Sequence, residues 1–534
     1  MKNIKLLDCT LRDGGYVNDW EFGHSVITGT YKRLDAAGVD YIEVGFLDDR
    51  REFDFNRSIT PNTEGFNRIF SGVKKQHAIP VAMIDFGTCS IENIQDSKDT
   101  FIEGIRVIFK KERIEEALPF CKQIKDKGYK LFIQAISITS YSDKEMLEYI
   151  EKINQIKPYV FSIVDTYGLL DDRKLKKYFY LIDNNLDSSI KIGYHAHNNF
   201  QLAFSNSIKF LATETTRELI VDSTVYGMGK SAGNTASELI ALHMNDWYGT
   251  SYDINQFLEI LDTDLMSIYY NHYWGYKYNF YISARQRCHP NYVQYLLDKK
   301  TLSITSINEI LSKIPPEIKL HFKEDVIESL YINYQSKIVD DVKTIKTLIN
   351  VFSNEKVLLM GPGGSIEKEK EQIDSFIAKE KPIIIMVNFG SNIYKSDYVF
   401  VSNSKRYSKL ADSFFVGDKE GAKLISTSNV SLFDKRTDRI LNYSSLMEMN
   451  GVKSDNALLL SLAMLIKSGV KEAYLAGFDG FRNDKSDYFD PNYSFVGNEK
   501  YNIEKNSVVV AGLKKLSNTI NLHFLTHSLY EEGL

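Results

Sequence analysis

A chain of 534 residues with 43% hydrophobic and 25% charged side chains can bury more than one core, so two or three domains are expected. The formal net charge of −5 argues against a general nucleic-acid binder, which needs a basic face. The longest apolar stretch, ALLLSLAMLI at 457–466, is about half of what a bilayer crossing requires, and Cys9, Cys89, Cys121 and Cys288 form no CxxC pair, which together point to a cytoplasmic setting with reduced thiols.

Up to about residue 245, short β-rich runs alternate with amphipathic segments. Strands are expected at 4–11, 41–46, 80–85, 104–109, 131–137, 161–166, 192–198 and 219–225. Stretches such as SVITGTYKRLDAAG and DKEMLEYIEKINQI separate them as helices. Continuous apolar strands, each followed by a helix, mean a parallel sheet covered on both sides, and eight such units fit an α/β fold of the (β/α)8 TIM-barrel type. An open doubly wound sheet would usually stop at five or six strands. The barrel is assigned to residues 1–275. Polar side chains gather where its strands end: Arg12, Asp13, Glu43, Asp85, Lys110, Gln134, Asp165, His195 and His197. Barrel active sites lie at that end.

Residues 276–350 read as a helical, tyrosine-rich extension or connector, with Pro315-Pro316 stopping the helix in SINEILSKIPPEI. Over 351–534 the pattern restarts as a second α/β domain, open-sheet and Rossmann-like. KVLLMGPGGSI supplies a strand, a glycine-rich turn and a helix start. KPIIIMVNF, DYVFVSN, KLISTSN, EAYLAGFDGF and NLHFLTHS follow as strands, with SDNALLLSLAMLIKSG as a buried helix.

Asp13, His195 and His197 form the sharpest constellation. Histidines two apart on a strand project to one face, and one carboxylate with two imidazoles makes a facial metal set with open positions for substrate. Such a set suits a divalent cation acting as a Lewis acid on a carbonyl. Two histidines merely hydrogen-bonded inside a barrel are the alternative for an isolated HxH. In the second domain, backbone amides around Gly361, Gly363, Gly364 and Ser365 would cradle a diphosphate or other anion, although a tight connection explains the same glycines. The spacing matches neither GxGxxG nor a P-loop.

DCTLRDG (8–14), IEVG (42–45), Asp165-Thr166 with Gly168, HAHNN (195–199) and GMGKSAGNTASE (227–238) together resemble the metal-dependent aldolase and lyase barrels. That group includes 4-hydroxy-2-oxovalerate aldolase, hydroxymethylglutaryl-CoA lyase, isopropylmalate synthase and homocitrate synthase, and the first of these is the most similar branch. The resemblance implies that Asp13, His195 and His197 ligate Mn²⁺ or Mg²⁺, with Co²⁺ or Zn²⁺ as further candidates. It implies that Arg12 stabilises an enolate oxygen, and it places Asn234 as a further metal ligand, a position where Asn also suits a helix start. Asp8 and Glu43 are either groups that orient the site or members of a buried network fixing the strand ends. Oxovalerate aldolases carry a proton-moving His two residues after the motif's glycine; this chain has Tyr16, as a hydrogen-bond donor, a proton relay or a packing lid. Asp19, His24 and His272 are further proton carriers to weigh. GPGGS, SDYVFVSN and AYLAGFDGF resemble Rossmann-like domains that include bacterial sialyltransferase-like and pterin diphosphokinase-like proteins. That resemblance implies a nucleotide, nucleotide-sugar or diphosphate ligand, with Asp479 as a polar contact or a loop cap.

The expected activity is thus a divalent-metal-dependent aldolase acting on a 2-oxo acid through a pyruvate-like enolate and an aldehyde, in unusual-sugar or surface-polysaccharide metabolism. An acyl-CoA condensing or cleaving enzyme on the same barrel is the second reading, and an inactive barrel serving as a binding scaffold the third. A Schiff-base aldolase is rejected, because FSIVDT carries no lysine and Lys110 and Lys111 sit at a rim. No nucleic-acid partner and no membrane span are expected, and homo-oligomerisation is left open.

Overall fold

β1 (Ile4–Asp8) pairs in parallel with both β2 (Tyr41–Leu47) and the last strand of its sheet, which closes eight strands into a barrel. The others are β3 (Ile79–Asp85), β4 (Gly104–Ile108), β5 (Lys130–Ala135), β6 (Val160–Asp165), β7 (Lys191–Ala196) and β8 (Leu219–Ser223). A two-residue strand, Ile59–Thr60, adds to β2 on the side. The computed structural model describes residues 2–391, 393–413, 421–431, 439–482, 488 and 499–534. Contacts divide the chain into two compact units, Met1–Pro290 and Asn291–Leu534.

The barrel helices form for local reasons. Asp143–Ile156 starts with a capping box, in which Ser142 and Glu145 satisfy each other's backbone N–H groups, and it buries Met146, Tyr149, Ile150 and Ile153 on one face. Asp171 caps Asp172–Asn185, whose Leu175, Tyr178, Phe179 and Ile182 are buried with the same spacing.

Inside the barrel, the period of two sets the layers. Leu7, Tyr41, Val81, Phe132, Val160 and Ile220 pack into an apolar floor. Two residues further along their strands come Glu43, Met83, Gln134, Ser162 and Asp222, so the same inward face turns largely polar toward the C-terminal ends. β1 stops at Asp8, short of the expected Leu11. Asp8 accepts a hydrogen bond from the Thr10 backbone N–H at 2.9 Å, and Thr10–Asp13 turn into a short helix. That turn lays Arg12 and Asp13 across the mouth.

The second unit holds β9 (Val357–Met360), β10 (Ile383–Val387), β11 (Tyr398–Val401), β12 (Lys423–Thr427), β13 (Ile440–Leu441), β14 (Glu472–Ala476) and β15 (Asn521–Phe524). The order is β13-β12-β11-β10-β9-β14-β15, all parallel. Strand order reverses between β9 and β14, the topological switch point of an open sheet. One face packs on the buried helix Ala457–Lys467 and its neighbours, and the other on Ile366, Ile373, Tyr407 and Leu410. Every strand expected for this unit is present, and among its described residues the two-residue β13 is additional.

Candidate metal centre

Six side chains at the C-terminal end of the barrel close into a ring of ion pairs. Arg12 Nη1 lies 2.5 Å from Asp13 Oδ2, and Arg12 Nε lies 2.7 Å from Glu43 Oε2. Arg106 donates to that same Glu43 oxygen at 3.0 Å and to Asp222 Oδ2. Asp222 Oδ2 is 3.0 Å from His195 Nδ1, and His195 Nε2 is 3.5 Å from Asp13 Oδ2, which completes the circuit. All six are buried, with Arg106 at 0% exposure. Buried charges survive only when paired and hydrogen-bonded, and here each cation bridges two acids.

The ring fixes protonation states. Burial alone would raise Asp13, but Arg12 and the two histidines outweigh it and hold its carboxyl well below the usual range. Burial works against a charged His195, yet its hydrogen bonds to Asp13 and Asp222 raise its pKa. His197 is desolvated with too little compensation, which drives it down to about 3 and keeps it neutral. Its Nδ1 lies 3.3 Å from the Gly233 carbonyl, so Nδ1 carries the hydrogen and Nε2 offers a lone pair. His195 Nδ1 is likewise held by Asp222, while its Nε2 shares a proton with Asp13.

One ligand atom each from Asp13, His195 and His197 lies within 4.8 Å of the others. Asn234 stands beside them: its Nδ2 donates to Asp13 Oδ1 at 3.1 Å and to the Met228 carbonyl at 3.2 Å. Its Oδ1 is buried with no hydrogen-bond partner. Buried polar atoms are almost always paired, so this orphan acceptor beside a carboxylate and two imidazoles fits a divalent cation. Asn234 caps no helix, since Ser237–Tyr248 begins three residues later. Cys9, His195 and Asp222 form a second cluster, but Asp222 is spent on Arg106 and His195, and burial pushes the Cys9 thiol up, so it stays protonated.

Other expected residues fall into place around this core. Asp8 accepts from Ser237 Oγ at 2.6 Å and ties β1 to the helix after β8; burial raises its carboxyl to about 6. Glu43 anchors both arginines through Oε2, while Oε1 is buried without a partner. Tyr16 is 40% exposed as a residue and packs edge-on to Trp20. Desolvation outweighs the Arg12 charge and pushes its phenol to about 12, so it donates at neutral pH and does not accept a proton as a base. Asp19 is paired with Arg51 and Arg57, His24 Nε2 meets the Ile69 carbonyl, and His272 is exposed. None of these three bonds to the Asp13 cluster among the described residues.

Sequence reasoning missed Arg106, Asp222 and Lys230. A charged residue inside an otherwise apolar strand was the available signal for the first two, in GIRVIF and LIVDSTV. Lys230 follows Gly229 in the loop after β8, and its backbone N–H donates to Asp13 Oδ1 at 2.9 Å.

In the second unit three of the expected amides of the glycine turn, those of Gly361, Gly363 and Ser365, bond to their own chain. Gly361 N–H bonds to the Ala476 carbonyl and Gly363 N–H to the Gly477 carbonyl. Asp479 accepts from Ser365 N–H at 3.0 Å and from Ser365 Oγ. A Cβ at Gly363 would stand 2.4 Å from Asp479 Oδ1, so the carboxylate presses directly on the turn. Asp479 therefore caps the turn. Beside it, at the C-terminal ends of β9 and β14, opens a crevice lined by Asn388, Arg406, Asn456, Arg482, Tyr488 and Tyr530. An adjoining cavity shares Arg406 and adds Lys405, Lys409 and Lys505.

Residues 3–263 match the family model described as HMGL-like. Over 262 residues the chain is 21% identical to the oxaloacetate decarboxylase of Mycobacterium tuberculosis, covering 49% of this chain and 76% of that protein. Identity to the 4-hydroxy-2-oxovalerate aldolase of Pelotomaculum thermopropionicum is 24% over 265 residues, covering 48% and 74%. Among solved structures, hydroxymethylglutaryl-CoA lyase from Pseudomonas aeruginosa is similar with a TM-score of 0.41 and 17% identity, over 49% of this chain and 91% of that one.

Proposed function

We propose that the barrel is a divalent-metal-dependent aldolase, a carbon–carbon lyase that makes or breaks the bond between a pyruvate-like enolate and an aldehyde. The observation that carries this reading is the Asp13, His195 and His197 set with the orphan Asn234 oxygen beside it. The match to the HMGL-like family, whose similar proteins include a 4-hydroxy-2-oxovalerate aldolase, supports it.

Asp13, His195 and His197 would hold the ion, Mn²⁺ or Mg²⁺ before Co²⁺ or Zn²⁺, and the unpartnered Asn234 Oδ1 would be a further ligand. A divalent ion there supplies Lewis-acid polarisation of a carbonyl. Arg12 is fixed by Glu43 and Asp13 through Nε and Nη1, and its Nη2 takes no partner among the described residues. That donor is available to the oxygen on which enolate charge develops, in a buried site that needs no reorganisation. Tyr16, held protonated, donates a hydrogen bond to the hydroxyl of the aldol, or passes that hydroxyl's proton on to water by releasing its own as it takes it.

For the second unit, the reading is a nucleotide, nucleotide-sugar or diphosphate ligand in the crevice at the switch point. Its support is side-chain cations, Arg406, Arg482, Lys405, Lys409 and Lys505, in place of the glycine-turn amides.

The test of the barrel is loss of the pyruvate methyl proton signal in D₂O with the Mn²⁺-loaded protein, with Asp13→Ala as control. Exchange abolished by the substitution supports the aldolase. No exchange in the loaded wild type overturns it for pyruvate.

A further inference from the structure

The arginines around the barrel mouth already have partners. Arg12 and Arg106 belong to the buried ring. On the lip, Arg50 pairs with Asp48, Arg51 and Arg57 with Asp19, and Arg113 with Glu116. Lys230 differs. It is half-buried, its Nζ stands 5.2 Å from the centre of the Tyr16 ring, and the ammonium has neither a hydrogen bond nor an ion pair among the described residues.

Its position is not accidental. The Lys230 backbone N–H is tied to Asp13 Oδ1 at 2.9 Å. At the preceding Gly229, a Cβ would lie 2.1 Å from Asn234 Nδ2 and 2.6 Å from Asp13 Oδ1, so only glycine lets the loop lie this close. The main chain of Lys230 is thus clamped against the candidate metal set, and its ammonium stands over the mouth beside the Tyr16 ring, where its charge is felt by Asp13 and His197. Across the mouth, Lys110 follows β4 and also lacks an ion pair among the described residues; Asp85, at the end of β3, is the acid facing both. The charges of Asp13 and Asp85 reach the Lys230 ammonium without touching it and do not offset its desolvation, so a ligand oxygen in direct contact recovers part of that cost.

We propose that Lys230 binds a phosphate or carboxylate on the aldehyde partner, so that this centre selects an anionic aldehyde over a neutral one. The identification of the partner as an aldehyde rests on the aldolase reading; the anion site rests on the geometry of Lys230. The donor's own oxygens would be served by the candidate metal set and Arg12, which leaves the Lys230 ammonium, beside Tyr16, for the second substrate.

The test uses the full Mn²⁺-loaded chain with three probes: glyceraldehyde 3-phosphate, succinic semialdehyde and glyceraldehyde. Dissociation constants are measured by saturation-transfer NMR for wild type, Lys230→Gln and Lys230→Arg. The wild type is expected to bind one of the anionic aldehydes about tenfold or more tighter than glyceraldehyde, the size of one charge-assisted hydrogen bond. Lys230→Gln is expected to erase that ratio and Lys230→Arg to restore most of it, and whichever anion is preferred identifies phosphate or carboxylate. Equal affinities in the wild type, or a preference that survives Lys230→Gln, overturn the proposal. Pyruvate proton exchange in the wild type is scored separately. Its absence alongside a Lys230-dependent anion preference overturns the aldolase reading alone.

Discussion

Asp222 Oδ2 lies 3.0 Å from His195 Nδ1 and is also the oxygen that Arg106 engages. One carboxylate oxygen therefore sets the tautomer of a candidate metal ligand and is itself held by a fully buried guanidinium. The donor strength of His195 depends on a residue two elements away from it, on the neighbouring strand.

Replacing that carboxylate should weaken the metal. Asp222→Asn is expected to lower Mn²⁺ affinity by about 10–100-fold, the usual cost of losing the partner of a ligating histidine. Titration calorimetry of the apo-protein measures it directly. An affinity within twofold of wild type would remove Asp222 from the centre.

Metal uptake should also release a proton. His195 is raised by Asp13 and Asp222, and its Nε2 can accept a metal only after losing the proton shared with Asp13. Affinity is therefore expected to fall as pH falls through the raised range of His195. Calorimetry in buffers of different ionisation enthalpy reads the proton count, and a buffer-independent heat near neutral pH would contradict this.

Arg106 joins Glu43 to Asp222 with no exposure to solvent. Arg106→Met leaves two buried carboxylates facing each other across the barrel, and a loss of about 3–5 kcal/mol is expected. Urea unfolding followed by the near-ultraviolet signal of the full chain provides the measurement. A change under about 1 kcal/mol would show that the ring is dispensable for folding.

Asp8 gives stability a pH dependence of known sign. Its folded pKa, about 6, is raised above the ordinary 3.8 by burial. Between those values the folded state binds the extra proton, so this contribution is full below about pH 4 and is lost as pH rises through 6. The amount is roughly 3 kcal/mol. Asp8→Asn cannot titrate, and its stability relative to wild type should improve by about 2 kcal/mol of that from pH 4.5 to pH 7. Parallel profiles would place the shift elsewhere.

Tyr16→Phe separates the hydroxyl from the ring. The edge-on contact with Trp20 remains, so stability should move by less than about 0.5 kcal/mol. If the hydroxyl donates or relays a proton, kcat for aldol cleavage falls by about 10²-fold or more while pyruvate exchange persists. An unaltered kcat would leave Tyr16 as a packing lid.

Much of this molecule could be read from local pattern. Strand position follows from short apolar runs, barrel closure from eight repeats of strand and helix, and the meeting of Asp13 with the paired histidines from their places at strand ends. These signals are short-range, because the period of two and the capping of helices are properties of neighbouring residues. The open second sheet was legible in the same way, down to the buried helix Ala457–Lys467.

What the tertiary structure decided are matters of distance between strands far apart in sequence. Glu43, Arg106 and Asp222 look like three unrelated charges in a linear reading, and only closure of the barrel makes them one circuit with Arg12 and His195. In sequence Asn234 suits a helix start equally well; folding instead sets its Nδ2 against Asp13 and leaves its Oδ1 buried without a partner. The glycine turn at 361–364 promised free amides, and folding places Ala476, Gly477 and Asp479 against them. Sequence encodes which groups are available, but pairing in a desolvated interior depends on three-dimensional proximity, where a few ångströms decide whether a charge is compensated or exposed to a ligand.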